Sequence, residues 1–208
     1  VTAPISRPRA IVTLAVATVA FGAALVLRES VDPWRATALA ASVSIALAAW
    51  TLGPRLRALF AIDGAGVARA VVIGAALVGA THAAFAAVRA ISPELAITVR
   101  GLYLSIEQGD SRIALALLTT LIVIGEELVW RGVALSIARP GTRLGCAAIS
   151  VALYVLPQLA GHVPVLIAAA VGLGAIFAAQ RLVTGRLTDV IITHAIWSVA
   201  VFVLLPVS

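Results

Sequence analysis

Charge is scarce in this chain: 12% of its 208 residues are Asp, Glu, Lys or Arg, against 62% hydrophobic. A soluble domain is roughly half apolar and about a quarter charged, so a water-soluble fold is excluded. Lysine is absent, and all fifteen basic residues are arginine. Most of them sit in short polar breaks such as Arg55/Arg57 and Arg139/Arg143, where they anchor loops at lipid headgroups. The net charge of +6 therefore points to a membrane surface and not to nucleic acid. The single cysteine, Cys146, lies in an apolar run and rules out an intramolecular disulfide. No repeat of about 20 to 50 residues, low-complexity tract or soluble insertion interrupts the chain, which reads as one integral membrane domain over 1–208.

What fills the sequence is long apolar runs. A helix needs around 20 residues to cross roughly 30 Å of hydrocarbon, and seven runs qualify: Ala10 to Leu27, Ala36 to Leu52, Ala70 to Val88, Ile113 to Ala138, Leu144 to Gly161, Val163 to Ala179, and Thr188 to Pro206. Breaker pairs separate them, among them Asp32-Pro33, Gly53-Pro54, Asp63-Gly64, Ser92-Pro93, Pro140-Gly141 and Thr184-Gly185. The predicted fold is all-α, a polytopic bundle of about seven transmembrane helices. The first run follows Arg7 and Arg9 in the manner of a signal peptide, but ahead of six further spans it reads as a retained helix. Small residues such as Gly74, Gly79, Ala83, Gly172 and Gly174 are packing signals that let helix backbones approach.

Orientation follows from arginine asymmetry. With the N-terminus inside, nine arginines fall on the inner side (7, 9, 55, 57, 69, 139, 143, 181, 186) and five on the outer (28, 35, 89, 100, 112). This predicts a plasma (inner) membrane protein with a cytoplasmic N-terminus. Between Ala90 and Asp110, apolar residues alternate with Glu94, Arg100 and Glu107 in the pattern of an interfacial amphipathic helix; a solvated loop is the plain alternative.

The fourth run breaks its own apolar rule with Gly125-Glu126-Glu127-Leu128-Val129-Trp130-Arg131-Gly132. Ionisable groups within a membrane span cost at least a few kcal/mol each and mark function by default. Positions four apart share a helix face, so Glu127 and Arg131 form an ion pair, while Glu126 points about 100° away and is left as a general base. A purely structural charge cluster is the alternative. The three histidines, His82, His162 and His194, all lie in or at the ends of apolar runs. For His82 a hydrogen bond between helices is the simple reading. His162 and His194 follow the glutamates on two later helices, and together with Glu126 they make a water-activating set.

With these residues in view, the chain resembles the CAAX protease and bacteriocin-processing family of intramembrane proteases, which includes the type II CAAX prenyl endopeptidases. The resemblance runs from about Leu117 to Leu205 and rests on Glu-Glu-x-x-x-Arg, a helix ending in histidine, and His-x-x-x-polar in the last span. It implies that Glu126 and His162 polarise the attacking water, that Glu127 and Arg131 take the other first-motif positions, and that His194 with the residue four later steadies the oxyanion. That residue is Ser198, where the family usually has asparagine or aspartate. Gln158 stands where the second motif has phenylalanine. Serine reaches less far than an amide, and loss of one oxyanion donor costs on the order of 10²-fold or more; a buried glutamine also needs partners.

Metal stays open at this point. Glu126, His162 and His194 form a candidate set for a divalent ion such as zinc, with an open position for water, yet there is no H-E-x-x-H run. The expected activity is an endopeptidase that cuts a peptide or protein substrate near the bilayer. A non-catalytic binding or immunity-type protein of the same fold is the alternative. A small proton-coupled transporter is disfavoured by the lack of an internal repeat. Depth sets one condition: His162 lies about 30 Å along its helix from Thr142, whereas His194 is only six residues into its own. For the two to meet, the fifth helix must tilt, break at Pro157 or begin within the membrane.

Overall fold

The computed structural model describes residues 5–106, 111–137 and 142–207. Its helices are α1 (Arg7–Val26), α2 (Pro33–Leu52), α3 (Arg55–Leu59), α4 (Gly64–Ile91), α5 (Pro93–Ile106), α6 (Arg112–Ile137), α7 (Arg143–Ala160), α8 (Pro164–Thr184) and α9 (Leu187–Leu204). The described residues contain no strand. Seven helices, all but α3 and α5, are long and apolar enough to cross a membrane. The protein is thus an all-α membrane bundle.

Local chemistry sets the helix ends. Asp32, Asp63, Ser111 and Thr142 each accept a backbone N–H of the first turn, satisfying donors that the helix cannot pair itself. Pro33 and Pro164 open α2 and α8, where a missing N–H costs nothing. Gly185 (φ 73°) closes α8 in the left-handed conformation, and Gly53 (φ 52°) closes α2 at a positive φ that a side chain would strain. The third span begins at Gly64, six residues before the predicted Ala70, because Asp63-Gly64 is a cap and first helical residue instead of a break. The predicted end at Ala138, along with Glu107, Asp110, Arg139 and the Pro140-Gly141 break, lies outside the described residues.

Helix α6 runs through the middle of the bundle. It packs on α2 and α9, α1 packs on α2 and α7, α7 on α8, and α4 on α9. Outward faces carry Ile11, Val19, Leu39, Val72 and Leu117, all exposed, which suits a bundle solvated by lipid, where packing between helices and not water exclusion drives association. Two of the glycines read as packing signals meet that need. A Cβ on Gly74 would lie 3.0 Å from Ile196, and one on Gly174 would lie 3.0 Å from the Tyr154 ring, while Gly79 and Gly172 face open space. The segment between α4 and α6 is helical as α5, with Ala96, Val99 and Tyr103 buried and Ile97 exposed. Tyr103 meets Phe202 at the end of α9, ring centroids 6.0 Å apart.

Candidate active site

Helix α6 widens at the acidic pair. Leu128–Ala134 is π-helical, beginning directly after Glu127 and containing Arg131; such segments occur mostly as single-turn bulges, frequently at functional sites. One residue earlier, α6 and α2 touch backbone to backbone. A Cβ on Gly125 would stand 2.8 Å from Ala41 Cα and 2.9 Å from its carbonyl oxygen, so only glycine lets the acidic turn sit this deep.

Within that turn Glu127 and Arg131 are both fully buried, and Arg131 Nη1 donates to Glu127 Oε1 at 3.0 Å. Arg131 Nη2 donates to the carbonyl of Gly174 on α8 at 3.2 Å. Its guanidinium carbon lies 4.4 Å from the Tyr154 ring centroid and 5.5 Å from that of Phe177, so two aromatic rings replace part of the water this cation has lost. The sequence reading has no signal for either ring beyond their rarity among apolar residues.

His194 joins the pair from α9. Its Nδ1 lies 2.8 Å from Glu127 Oε1 and its Nε2 lies 3.8 Å from Glu126 Oε2. One imidazole edge therefore spans two consecutive carboxylates that point about 100° apart on α6. In the tautomer whose Nδ1 donates to the Glu127 carboxylate, the imidazole keeps a lone pair at Nε2, on the side of Glu126. Phe177 stacks on the imidazole, centroids 4.4 Å apart and planes 29° apart. Exposure separates the two acids: the Glu126 side chain is 11% accessible and that of Glu127 0%, so Glu126 is the carboxylate of the pair that is open to an incoming molecule. At 3.8 Å Glu126 Oε2 and His194 Nε2 do not bond each other, but both reach a single water at roughly 2.8 Å. Ser198 is buried one turn beyond His194 on α9.

His162 stands apart. Helix α7 stays helical through Pro157 to Ala160, and His162 follows in the turn with φ 52° and an exposed side chain. No hydrogen bond, ion pair or ring contact joins it to Glu126 or His194. Of the three ways in which the two histidines could meet, a tilt, a break at Pro157 or a start within the membrane, the break is not made. Gln158 is half-buried in the last turn of α7. The metal set of Glu126, His162 and His194 is accordingly not assembled: among the described residues no group of three or more His, Cys, Asp or Glu could hold a metal ion. A catalytic zinc site takes three protein ligands, and here two donors face each other, so no step is derived through a metal. His82 is half-buried on α4 with its Nε2 unpartnered among the described residues, so the expected bond between helices is not made.

A polar network that the sequence reading missed holds α9 at the correct height. Gln180 Nε2 donates to Asp189 O and Thr193 Oγ1 at 3.2 and 2.9 Å, and Thr193 Oγ1 donates to Ala70 O at 3.1 Å. Arg186 bridges Asp189 (3.0 Å) and Asp63 (3.2 Å). The backbone N–H of Gly66 holds Asp63 below its ordinary carboxylate range, helped by the Arg186 and Arg69 charges. Thr193 immediately precedes His194, so α4, α8 and α9 are tied together at the imidazole.

Residues 108–200 match the family model described as type II CAAX prenyl endopeptidase Rce1-like. The match covers the first-motif acids, His162, His194 and Ser198, and it is the CAAX protease family that these motifs resemble. No curated protein and no solved structure matches the chain.

Proposed function

We propose that this membrane protein, Rce1-like over the segment that carries its motifs, is an intramembrane endopeptidase whose water is held between Glu126 and His194. The observation that carries this reading is the 3.8 Å gap between Glu126 Oε2 and His194 Nε2, both backed by the buried Glu127–Arg131 pair. A water in that gap donates one proton to each atom and turns its lone pairs outward, toward a substrate carbonyl. Glu126 takes the proton as the oxygen attacks the carbonyl carbon, and returns it to the amine as the carbon–nitrogen bond breaks. Glu127 holds the imidazole orientation, and Arg131 balances the charge on Glu127. Ser198 is the candidate donor to the oxyanion. No step passes through His162.

The substrate is a peptide or protein bond presented at the bilayer. The arginine distribution supports a cytoplasmic N-terminus, and the membrane we propose is the plasma (inner) membrane. One observation favours a second reading, a non-catalytic binding or immunity-type protein of the same fold: the second-motif histidine stands outside the cluster. A reconstituted assay on membrane-proximal peptides tests the choice. Wild type cleaves and Glu126→Gln, folded, does not; absence of cleavage by folded wild type selects the binding reading.

A further inference from the structure

The face at which α2, α6 and α8 end holds a second polar feature, distinct from the acid pair. A cavity of about 270 Å³ is lined by Arg55, Ala58, Leu59, Ser136 and Arg181. Two of these five residues are arginines and none is acidic. Arg181 sits in the last turn of α8, makes no ion pair among the described residues, and its Nε is buried without a partner. Burial pulls against the Arg181 guanidinium, which has no counter-charge among the described residues. A phosphate relieves that cost, because its oxygens match the guanidinium fork and give the buried Arg181 donor a partner. Ser136 gives its hydroxyl proton to Gly132 O at 2.6 Å and so brings no donor to the cavity. Ala58 and Leu59 supply an apolar wall on the side of α3, the short helix that follows the span end.

We propose that this cavity is a binding site for the phosphate of an anionic phospholipid. The chemistry recognised is a phosphate oxyanion. The lipid source follows from position, since basic cavities between membrane helices at a headgroup level take anionic headgroups. The inference is independent of the peptidase reading, and bound lipid is measured without any cleavage.

The test uses the full chain taken from vesicles of phosphatidylcholine with phosphatidylglycerol, followed by native mass spectrometry. Wild type retains phosphatidylglycerol in preference to phosphatidylcholine. Retention falls about fivefold in Arg181→Gln and in Arg55→Gln, and is unchanged in Arg57→Gln, an exposed arginine on the same short helix. Glu126→Gln retains lipid as wild type does, which separates this site from the active one. Should Arg181→Gln fail to fold, Arg181→Lys keeps the charge without the fork and gives intermediate retention. Equal retention in Arg181→Gln and Arg57→Gln overturns the site. A melting temperature raised by inorganic phosphate, with no lipid retained, overturns the lipid source.

Discussion

Phe177 lies face to face with His194, ring centroids 4.4 Å apart, and is itself wholly buried. The same ring is 5.5 Å from the Arg131 guanidinium carbon. One apolar side chain on α8 thus lies beside both nitrogen-bearing groups that face Glu127, the imidazole and the guanidinium. If it positions the imidazole, Phe177→Leu lowers kcat about 10- to 100-fold with KM little changed, because small misplacements of a catalytic group cost that much. Steady-state kinetics on folded protein measures the split. An unchanged kcat assigns the ring to packing alone.

His162 and His194 are predicted to differ sharply. On the proposed mechanism, His194→Ala removes one of the two groups that hold the water and lowers cleavage about 10²-fold or more. His162→Ala, altering an exposed turn, leaves the rate within about threefold of wild type. The same peptide assay compares both. Loss of cleavage in His162→Ala would bring that histidine back to the site and show that the turn moves during catalysis.

Arg131→Ala leaves the carboxylate of Glu127 buried without its cation, a change that costs about 3 to 5 kcal/mol. The expected result is a large fall in the yield of folded protein and in melting temperature in detergent. Arg131→Lys recovers only part, since a lysine cannot reach Glu127 and the Gly174 carbonyl with a planar fork. Normal yield and melting of Arg131→Ala would remove the pair from the stability of the bundle.

The Asp63 clip carries a pH signature. Its carboxyl is held below the ordinary 3.8 by the Gly66 N–H and then by Arg186 and Arg69. A depressed carboxyl stabilises the fold above its unfolded value and loses that contribution as pH falls through the folded one. Wild type should therefore melt higher than Asp63→Asn near neutral pH, and the difference should close below about pH 4. A gap that stays constant down to about pH 3 assigns the effect to something other than the charge.

The seven spans were legible because each is an apolar run long enough to cross a bilayer, and the acidic pair was legible because charge inside such a run is rare. Glu127 with Arg131 follows from spacing alone. The contact of His194 with both acids does not, since it depends on how far α9 rises past α6. That height is set by Gln180, Thr193 and the Asp63–Arg186–Asp189 bridge, residues whose side chains meet only across helices. His162 illustrates the reverse. Its motif position placed it with Glu126, but a proline inside α7 did not end the helix, so the turn carrying His162 stayed at the far end. Tyr154 and Phe177 gave no signal, because an aromatic in an apolar span reads as core until its neighbour is known to be charged.

The π-helical stretch Leu128–Ala134 lies between Glu126 with Glu127 on one side and Ser136, at the basic cavity, on the other. A π turn holds more residues than an α turn of similar rise, so this stretch sets a rotational phase between the two ends of α6. Were it wound as ordinary α-helix, the acids could face His194 or Ser136 could face the arginines, but the two would no longer do so together.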